Sequence, residues 1–254
     1  PPGMDELLDQ MDARGVTFAP ASGRQVWTLI DMFPGRLGMT VIGENGGIVM
    51  RDGVEVSSSP LDAPTMREAV RLVREATSGS DGIDGGLVMC GKQFAYVERT
   101  DDRFVEGVMP YYHRTKRIDD QIAIIDAIEA GEIDDAIVKL AVYVIGPVQA
   151  LAEATLANFA DTHQYAISGA NWADLQIRGV DKGSAVRDLQ RFLGVDRSQT
   201  AVFGDAGNDL SMMSEGDLSF AMANASADVI EAARFVAPSN NEAGVAQVLR
   251  TLLG

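Results

Sequence analysis

Apolar positions along the chain recur at two spacings, and their alternation predicts an α/β pattern. Leu7, Leu8 and Met11 share one face of a helix predicted over residues 6–14. The runs Val16-Thr17-Phe18-Ala19 and Thr40-Val41-Ile42 read as strands, with a helix over residues 25–31 between them. Asn45-Gly46-Gly47 marks the turn of a hairpin that Ile48-Val49-Met50 continues. Ser57-Ser58-Ser59-Pro60 and Asp62-Ala63-Pro64 read as a linker. Beyond it, Met66, Ala69, Val70 and Val73 lie at helical spacing, and Leu87-Val88-Met89-Cys90 is strand-like. A helix over 119–129, a strand over 136–145 and a helix carrying Val148, Leu151, Ala152 and Phe159 follow. Tyr165-Ala166-Ile167 and residues 173–178 close this middle segment as strands. The final third predicts a helix over 183–193, a strand Ala201-Val202-Phe203, a short strand over 218–221 and a last helix bearing Val245, Val248, Leu249 and Leu252. The expected division is a core made of residues 1–59 and 178–254, interrupted by an α+β domain over 60–177.

Composition narrows the classes. The chain has 254 residues, 46% of them hydrophobic, enough for one large domain or two. No apolar run approaches the ~18 residues of a membrane span, and the opening Pro1-Pro2-Gly3-Met4-Asp5 has no signal-peptide pattern. A single cysteine, Cys90, excludes an intrachain disulfide and suits a reducing, cytoplasmic setting. The net charge of −16 disfavours nucleic acid and anionic membranes as partners. It also constrains any site for anions. Like charges ~4 Å apart repel by about 4 kcal/mol at an effective dielectric of about 20, so carboxylates that handle phosphate need a bridging cation. With only His113 and His163, a histidine-rich zinc site is disfavoured.

The most informative stretch is residues 200–213. The strand Ala201-Val202-Phe203 ends at Gly204, and Asp205, Asn208 and Asp209 follow in a loop. Ligands of open α/β sheets bind beyond the carboxyl ends of strands, and short acidic side chains there suit Mg²⁺. A turn with an ordinary helix cap uses the same residues. Ser22-Gly23-Arg24 also opens a helix after a predicted strand, where a hydroxyl and free N–H groups bind phosphate oxygens; a plain Ser cap is the alternative. Lys182 enters a helix whose macrodipole disfavours a cation, which a phosphate would explain and a solvent-exposed lysine would not need. Asn45 serves equally well as a hairpin turn residue. Gly86 to Lys92 imitates a nucleotide-binding P-loop, but Gln93 stands where Ser or Thr is required and the stretch reads as strand.

In order and spacing, these loops resemble the haloacid dehalogenase superfamily of phosphohydrolases, in its Cof-type sugar-phosphatase-like branch. Ser22-Gly23-Arg24 matches the second motif, Lys182-Gly183 the third and Gly204-Asp205-Ala206-Gly207-Asn208-Asp209 the fourth. Asn45-Gly46-Gly47, Ala221-Met222-Ala223-Asn224-Ala225 and Ser239-Asn240-Asn241-Glu242-Ala243-Gly244-Val245-Ala246 match further signatures of the branch. The resemblance implies a Rossmann-like parallel-sheet core with an inserted α+β cap. It implies a Mg²⁺-dependent phosphatase acting on a small phosphorylated metabolite such as a sugar phosphate. Asp205 would ligate Mg²⁺, and Asn208 and Asp209 would position phosphate and metal-bound water. Lys182 and Ser22, with Gly23, would hold the phosphoryl oxygens, and Arg24 and Asn45 would meet substrate. The family's first motif, Asp-x-Asp-Gly-Thr, occurs nowhere in these residues. The expectation is that a longer parent chain supplies its nucleophile, and that a polypeptide starting at Pro1 is inactive. A phosphometabolite-binding protein without catalysis and a phosphomutase on the same fold are the alternatives, and the oligomeric state is not legible.

Overall fold

The computed structural model describes residues 2–36 and 38–254; Pro1 and Leu37 lie outside the described residues. Its first elements are α1 (Met4–Ala13), α2 (Val26–Asp31), β1 (Thr40–Gly43), β2 (Ile48–Arg51) and β3 (Val54–Ser58). Then come α3 (Ala63–Thr77), β4 (Gly85–Gly91), β5 (Ala95–Val97), α4 (Asp102–Val108), β6 (Thr115–Arg117) and α5 (Gln121–Glu129). The order continues with β7 (Ile137–Val144), α6 (Gln149–Ala154), β8 (His163–Ile167) and β9 (Trp172–Ile177). It ends with α7 (Lys182–Leu193), β10 (Ala201–Gly204), α8 (Leu210–Met213), β11 (Leu218–Met222), α9 (Ala227–Ala232), β12 (Phe235–Ala237) and α10 (Gly244–Leu253). Two compact units result. One comprises Pro1–Ala21, Gly35–Ser57 and Asp181–Gly254; the other comprises Ser22–Pro34 and Ser58–Val180. The segment Ser22–Pro34, which the sequence pattern groups with the core, thus clusters with the inserted residues.

In the first unit, β10, β11 and β12 form a parallel sheet, and β1, β2 and β3 form a second sheet that begins with an antiparallel hairpin. Across the three parallel strands Phe203 stacks on Phe220 at a centroid distance of 4.9 Å, and Phe235 meets Phe220 tilted, at 5.3 Å. Val202 and Ala221 join Ile42, Val49, Val186, Leu189, Met212 and Met213 in one buried cluster. Helix α7 places Val186 and Leu189 there because they recur at helical spacing. A capping box between Asp181 and Ser184 starts α7, and Gly194, at φ 68°, ends it.

The second unit holds a six-stranded sheet ordered β6-β5-β4-β7-β9-β8, antiparallel except where β5 meets β6. Both faces are covered. Leu87 and Met89 pack with Met66, Val70 and Val73 of α3 and with Ile125 of α5. Val88 and Cys90 alternate to the other side, against Phe104, Val105 and Val108 of α4 and Tyr112. Residues 86–92 therefore belong to a strand and its end, and Cys90 is buried with its S–H donating to the Tyr112 hydroxyl at 3.3 Å. Among the described residues, no helix is long and apolar enough to cross a membrane.

Three local expectations are corrected. Residues 16–19 form no strand; just beyond them Ala21 makes an isolated parallel bridge with Ile42, and Pro20 lacks the N–H a ladder needs. Asp62-Ala63-Pro64 is a helix start instead of a linker, with Asp62 accepting from the Thr65 N–H at 2.8 Å and Pro64 in the first turn. The helix expected through Phe159 breaks at Thr155 into a 3₁₀ turn over Leu156–Phe159. The buried Thr155 hydroxyl bonds the Leu151 carbonyl at 2.6 Å there, a contact that competes with helical continuation.

The Asp62 cap has a measurable consequence. Asp62→Ala is expected to lower stability in urea by about 1 kcal/mol. The Thr65 backbone N–H holds the Asp62 carboxyl below its ordinary value. The cap's contribution is therefore complete above the ordinary carboxylate range and is lost as pH falls through the lowered value. The stability difference between parent and variant should shrink to nothing in acid; a difference that persists there would refute the cap as its source.

Candidate active site

The parallel strands β10, β11 and β12 end at Gly204, Met222 and Ala237, and polar side chains gather just beyond those ends. Asp205 follows β10 directly. Its Oδ2 accepts from the Asn240 side-chain amide at 3.1 Å, and its carbonyl accepts from the Ser226 N–H at 3.0 Å. The Asn240 backbone N–H donates to Asn224 Oδ1 at 3.0 Å. Asn224 and Asn240 thus link the loops after β11 and β12 to Asp205. Their signal in the sequence is position: each stands two or three residues past a parallel strand, at the same carboxyl edge of the sheet as Asp205, which directly follows β10.

Asp209 is the hub of the loop. It is 5% exposed, and its Oδ2 accepts from the N–H groups of Asp205 at 2.9 Å and Ala206 at 3.1 Å. Its Oδ1 accepts from Lys182 Nζ at 2.6 Å. With both oxygens engaged inside the protein, Asp209 orients Lys182 and the 205–206 backbone. Gly204 is required beneath it, since a Cβ there would lie 2.6 Å from the Asp209 Cβ. Lys182 is itself only 5% exposed, which excludes the solvent-exposed reading. The Asp209 carboxylate offsets the helix dipole that disfavours a cation at the start of α7, without any phosphate. An ammonium carries three donors, so two remain for another acceptor.

The turn between β1 and β2 completes the cluster. Glu44 and Asn45 both have left-handed backbone conformations, at φ 50° and 52°. Each costs on the order of 1 kcal/mol for a non-glycine residue, so the surroundings must enforce them. Gly46 provides one such constraint: at φ 98° its Cα packs so closely that a Cβ would lie 2.2 Å from the Asp181 carbonyl oxygen. The turn is pressed onto the start of α7, and Asn45 Oδ1 accepts from the Asn208 amide at 3.1 Å. Asn45, Lys182, Asp205, Asn208 and Asp209 are thereby brought into one hydrogen-bonded neighbourhood of the first unit.

Ser22, Gly23 and Arg24 belong to the second unit. Ser22 Oγ accepts from the Arg24 N–H at 3.2 Å, which leaves the hydroxyl proton to donate elsewhere. The Arg24 guanidinium donates to the Pro110 carbonyl and lies 4.8 Å above the Tyr111 ring.

Asp205 is the residue suited to a metal. It is partly exposed, and one carboxylate oxygen is engaged by Asn240. Among the described residues, no group of three His, Cys, Asp or Glu side chains gathers as a cage. A single carboxylate at a strand end fits Mg²⁺, which keeps several waters and takes one or two carboxylates plus phosphate oxygens. It does not fit structural zinc, which needs four protein ligands.

Comparison with known proteins bears on the family and the fold. The family model described as haloacid dehalogenase-like hydrolase matches residues 2–249. The 5-amino-6-(5-phospho-D-ribitylamino)uracil phosphatase YbjI of Escherichia coli is 34% identical over 251 residues, 96% of this chain and 86% of the relative. Among solved structures, a haloacid dehalogenase-like hydrolase from Bacteroides thetaiotaomicron superposes with a TM-score of 0.77 at 19% identity, over 97% of this chain and 90% of the other. The HAD subclass IIB sugar phosphatase BT4131 gives 0.72 at 18% identity, over 99% and 91%. At these identities, the structural matches speak for the fold.

The two aspartates should separate in stability measurements. Asp209→Ala leaves the Lys182 charge buried without its partner and is expected to cost about 3–5 kcal/mol in guanidinium unfolding. Asp205→Ala removes a partly exposed group and should cost less than about 1 kcal/mol. Equal losses would show that Asp209 is not the structural member of the pair.

Proposed function

The chain belongs to the haloacid dehalogenase-like hydrolases, and on that footing we propose that it is a Mg²⁺-dependent phosphatase of small phosphorylated metabolites. The observation that carries this reading is the juxtaposition of a buried, oriented Lys182 and a partly exposed Asp205 beyond parallel strand ends. The proposed substrate is a phosphate monoester on a sugar or sugar-alcohol chain. Support comes from the 34%-identical relative, whose name gives a ribityl phosphate, and from the resemblance in fold to a sugar phosphatase.

In this reading, the Asp205 carboxylate holds Mg²⁺ at the end of β10. The bound ion supplies positive charge against the phosphoryl oxygens, which a chain of net charge −16 would otherwise repel. Lys182, aimed by Asp209, donates its remaining N–H bonds to a phosphoryl oxygen and stabilises the charge that spreads over the phosphoryl group in transfer. The amides of Asn208 and Asn45 hold phosphate and substrate without adding negative charge. Ser22, with the Gly23 backbone, and Arg24 are assigned phosphate and substrate contacts on their sequence motif.

The covalent step assigned to the family runs through an aspartyl-phosphate. A carboxylate oxygen attacks phosphorus in line, the bond to the leaving alkoxide breaks, and a second aspartate gives that oxygen its proton. Water then cleaves the acyl-phosphate to release inorganic phosphate and restore the carboxylate. Both aspartates belong to the Asp-x-Asp-Gly-Thr motif, which these residues do not contain. In this reading a longer parent chain supplies them.

The test is phosphate release by that parent from a panel of sugar and sugar-alcohol phosphates. Asp205→Asn is expected to lower Mg²⁺-dependent turnover by at least about 10²-fold while leaving the melting temperature within a few degrees. Undiminished Mg²⁺-dependent turnover in that variant would overturn the assignment. A folded parent that binds phosphate but releases none from any monoester would favour a binding protein.

A further inference from the structure

Lys139 is a charged group that the proposed chemistry leaves unused. It stands on β7 opposite Cys90 of β4, on the sheet face that Tyr112 and α4 cover, and is 1% exposed. Its ammonium lies 3.9 Å from Asp174 Oδ2 on β9 and 5.6 Å from the centre of the Tyr112 ring. A lysine held this far from water is costly unless its protons are bonded. One of them reaches the Gly23 carbonyl oxygen at 2.8 Å.

That carbonyl belongs to the Gly23–Arg24 peptide, whose N–H donates to Ser22 Oγ at 3.2 Å. The peptide is therefore gripped at both poles, by a charged donor on one side and by the serine hydroxyl on the other. The next residue anchors the loop as a whole. Gln25 is fully buried, and its side chain donates to the Arg114 carbonyl at 3.2 Å and accepts from the Arg114 N–H at 2.9 Å. Because the Ser22 oxygen accepts from a fixed N–H, the hydroxyl proton is left for an outside acceptor, and its direction follows from the tilt of that one peptide.

We propose that Lys139 is a positioning residue for Ser22. By fixing the Gly23–Arg24 peptide from its carbonyl side, it sets the direction in which the Ser22 hydroxyl donates to a phosphate oxygen. This role rests on the reading of Ser22 as a phosphate contact given above.

Inorganic phosphate in the presence of Mg²⁺, titrated calorimetrically, is the probe. Lys139→Met alone would remove the positive charge 3.9 Å from the buried Asp174 carboxylate, so it is combined with Asp174→Asn, and each protein is first checked by thermal unfolding. Ser22→Ala and the Lys139→Met, Asp174→Asn protein are each expected to weaken phosphate binding by about tenfold. The triple variant should be no weaker than Ser22→Ala, because the lysine acts only through the serine. The Arg24 backbone amide resonance should also move when Lys139 is replaced. Lys139→Gln, which keeps a donor for the carbonyl, is the second variant if the first does not fold, and it should retain most of the affinity. Losses that add in full to that of Ser22→Ala, in either Lys139 variant, would overturn the proposal. So would unchanged phosphate binding in the Lys139→Met, Asp174→Asn protein while Ser22→Ala weakens it. If Ser22→Ala itself binds phosphate as the parent does, the reading of Ser22 fails and the role of Lys139 falls with it.

Discussion

A buried ion pair of 2.6 Å between Lys182 and Asp209 ties together the parts of the site that chain order keeps apart. Two charges leave water to form it, and such a pair is tolerable only when the remaining polar atoms are also bonded. Here the second oxygen of Asp209 takes two backbone N–H groups, so desolvation of the carboxylate is offset three times over. The consequence is mechanical. The end of β10, the loop after it and the first turn of α7 cannot shift independently. Glycines let the pieces close to this distance: a Cβ on Gly183 would meet the Ser211 carbonyl oxygen at 2.4 Å, and Gly204 leaves the space Asp209 fills.

Around that pair, the side chain that meets the Asp205 carboxylate is an amide, not an acid. Asn240 supports the Asp205 carboxylate, Asn224 supports Asn240, and Asn208 bonds Asn45. An amide offers both a donor and an acceptor with no net charge. In a chain with 37 acidic against 21 basic residues, a further carboxylate beside Asp205 would raise the repulsion that any approaching phosphate must overcome. The asparagines hold Asp205 in place without adding charge of their own.

Much of this was readable in one dimension. The apolar run into Gly204 announced β10, and the helical spacing of Val186 and Leu189 announced α7, because buried faces impose their period on sequence. What could not be read was direction. Whether Asp209 points outward or inward depends on Lys182, 27 positions earlier, and no local window contains that partner. The short elements β5, β12 and α4 escaped for a simpler reason: three to seven residues are too few to display a period. The allegiance of Ser22–Pro34 was hidden by distance as well. Gln25 and Thr28 bond residues 89 and 83 positions away, and the Trp27 indole N–H donates to Lys92, 65 positions on. Conversely, residues 16–19 have strand composition without a strand, since composition measures fitness for a sheet and not the presence of a partner.

Gln25 presents to Arg114 the donor and the acceptor of a peptide unit, so a side chain completes what a neighbouring strand would ordinarily supply. Glutamate, nearly equal in size, would set a lone pair against the Arg114 carbonyl, and leucine would take from the Arg114 N–H its acceptor and leave the carbonyl with the Ala95 N–H alone. No change of side chain at position 114 can compensate, because the partner there is main chain. The common exchange of Gln for Glu is thus closed at this position, although no step of the reaction calls on it. Its persistence through a lineage would record how one segment is sewn to another, and a reader of aligned sequences would be apt to mistake the stitch for chemistry.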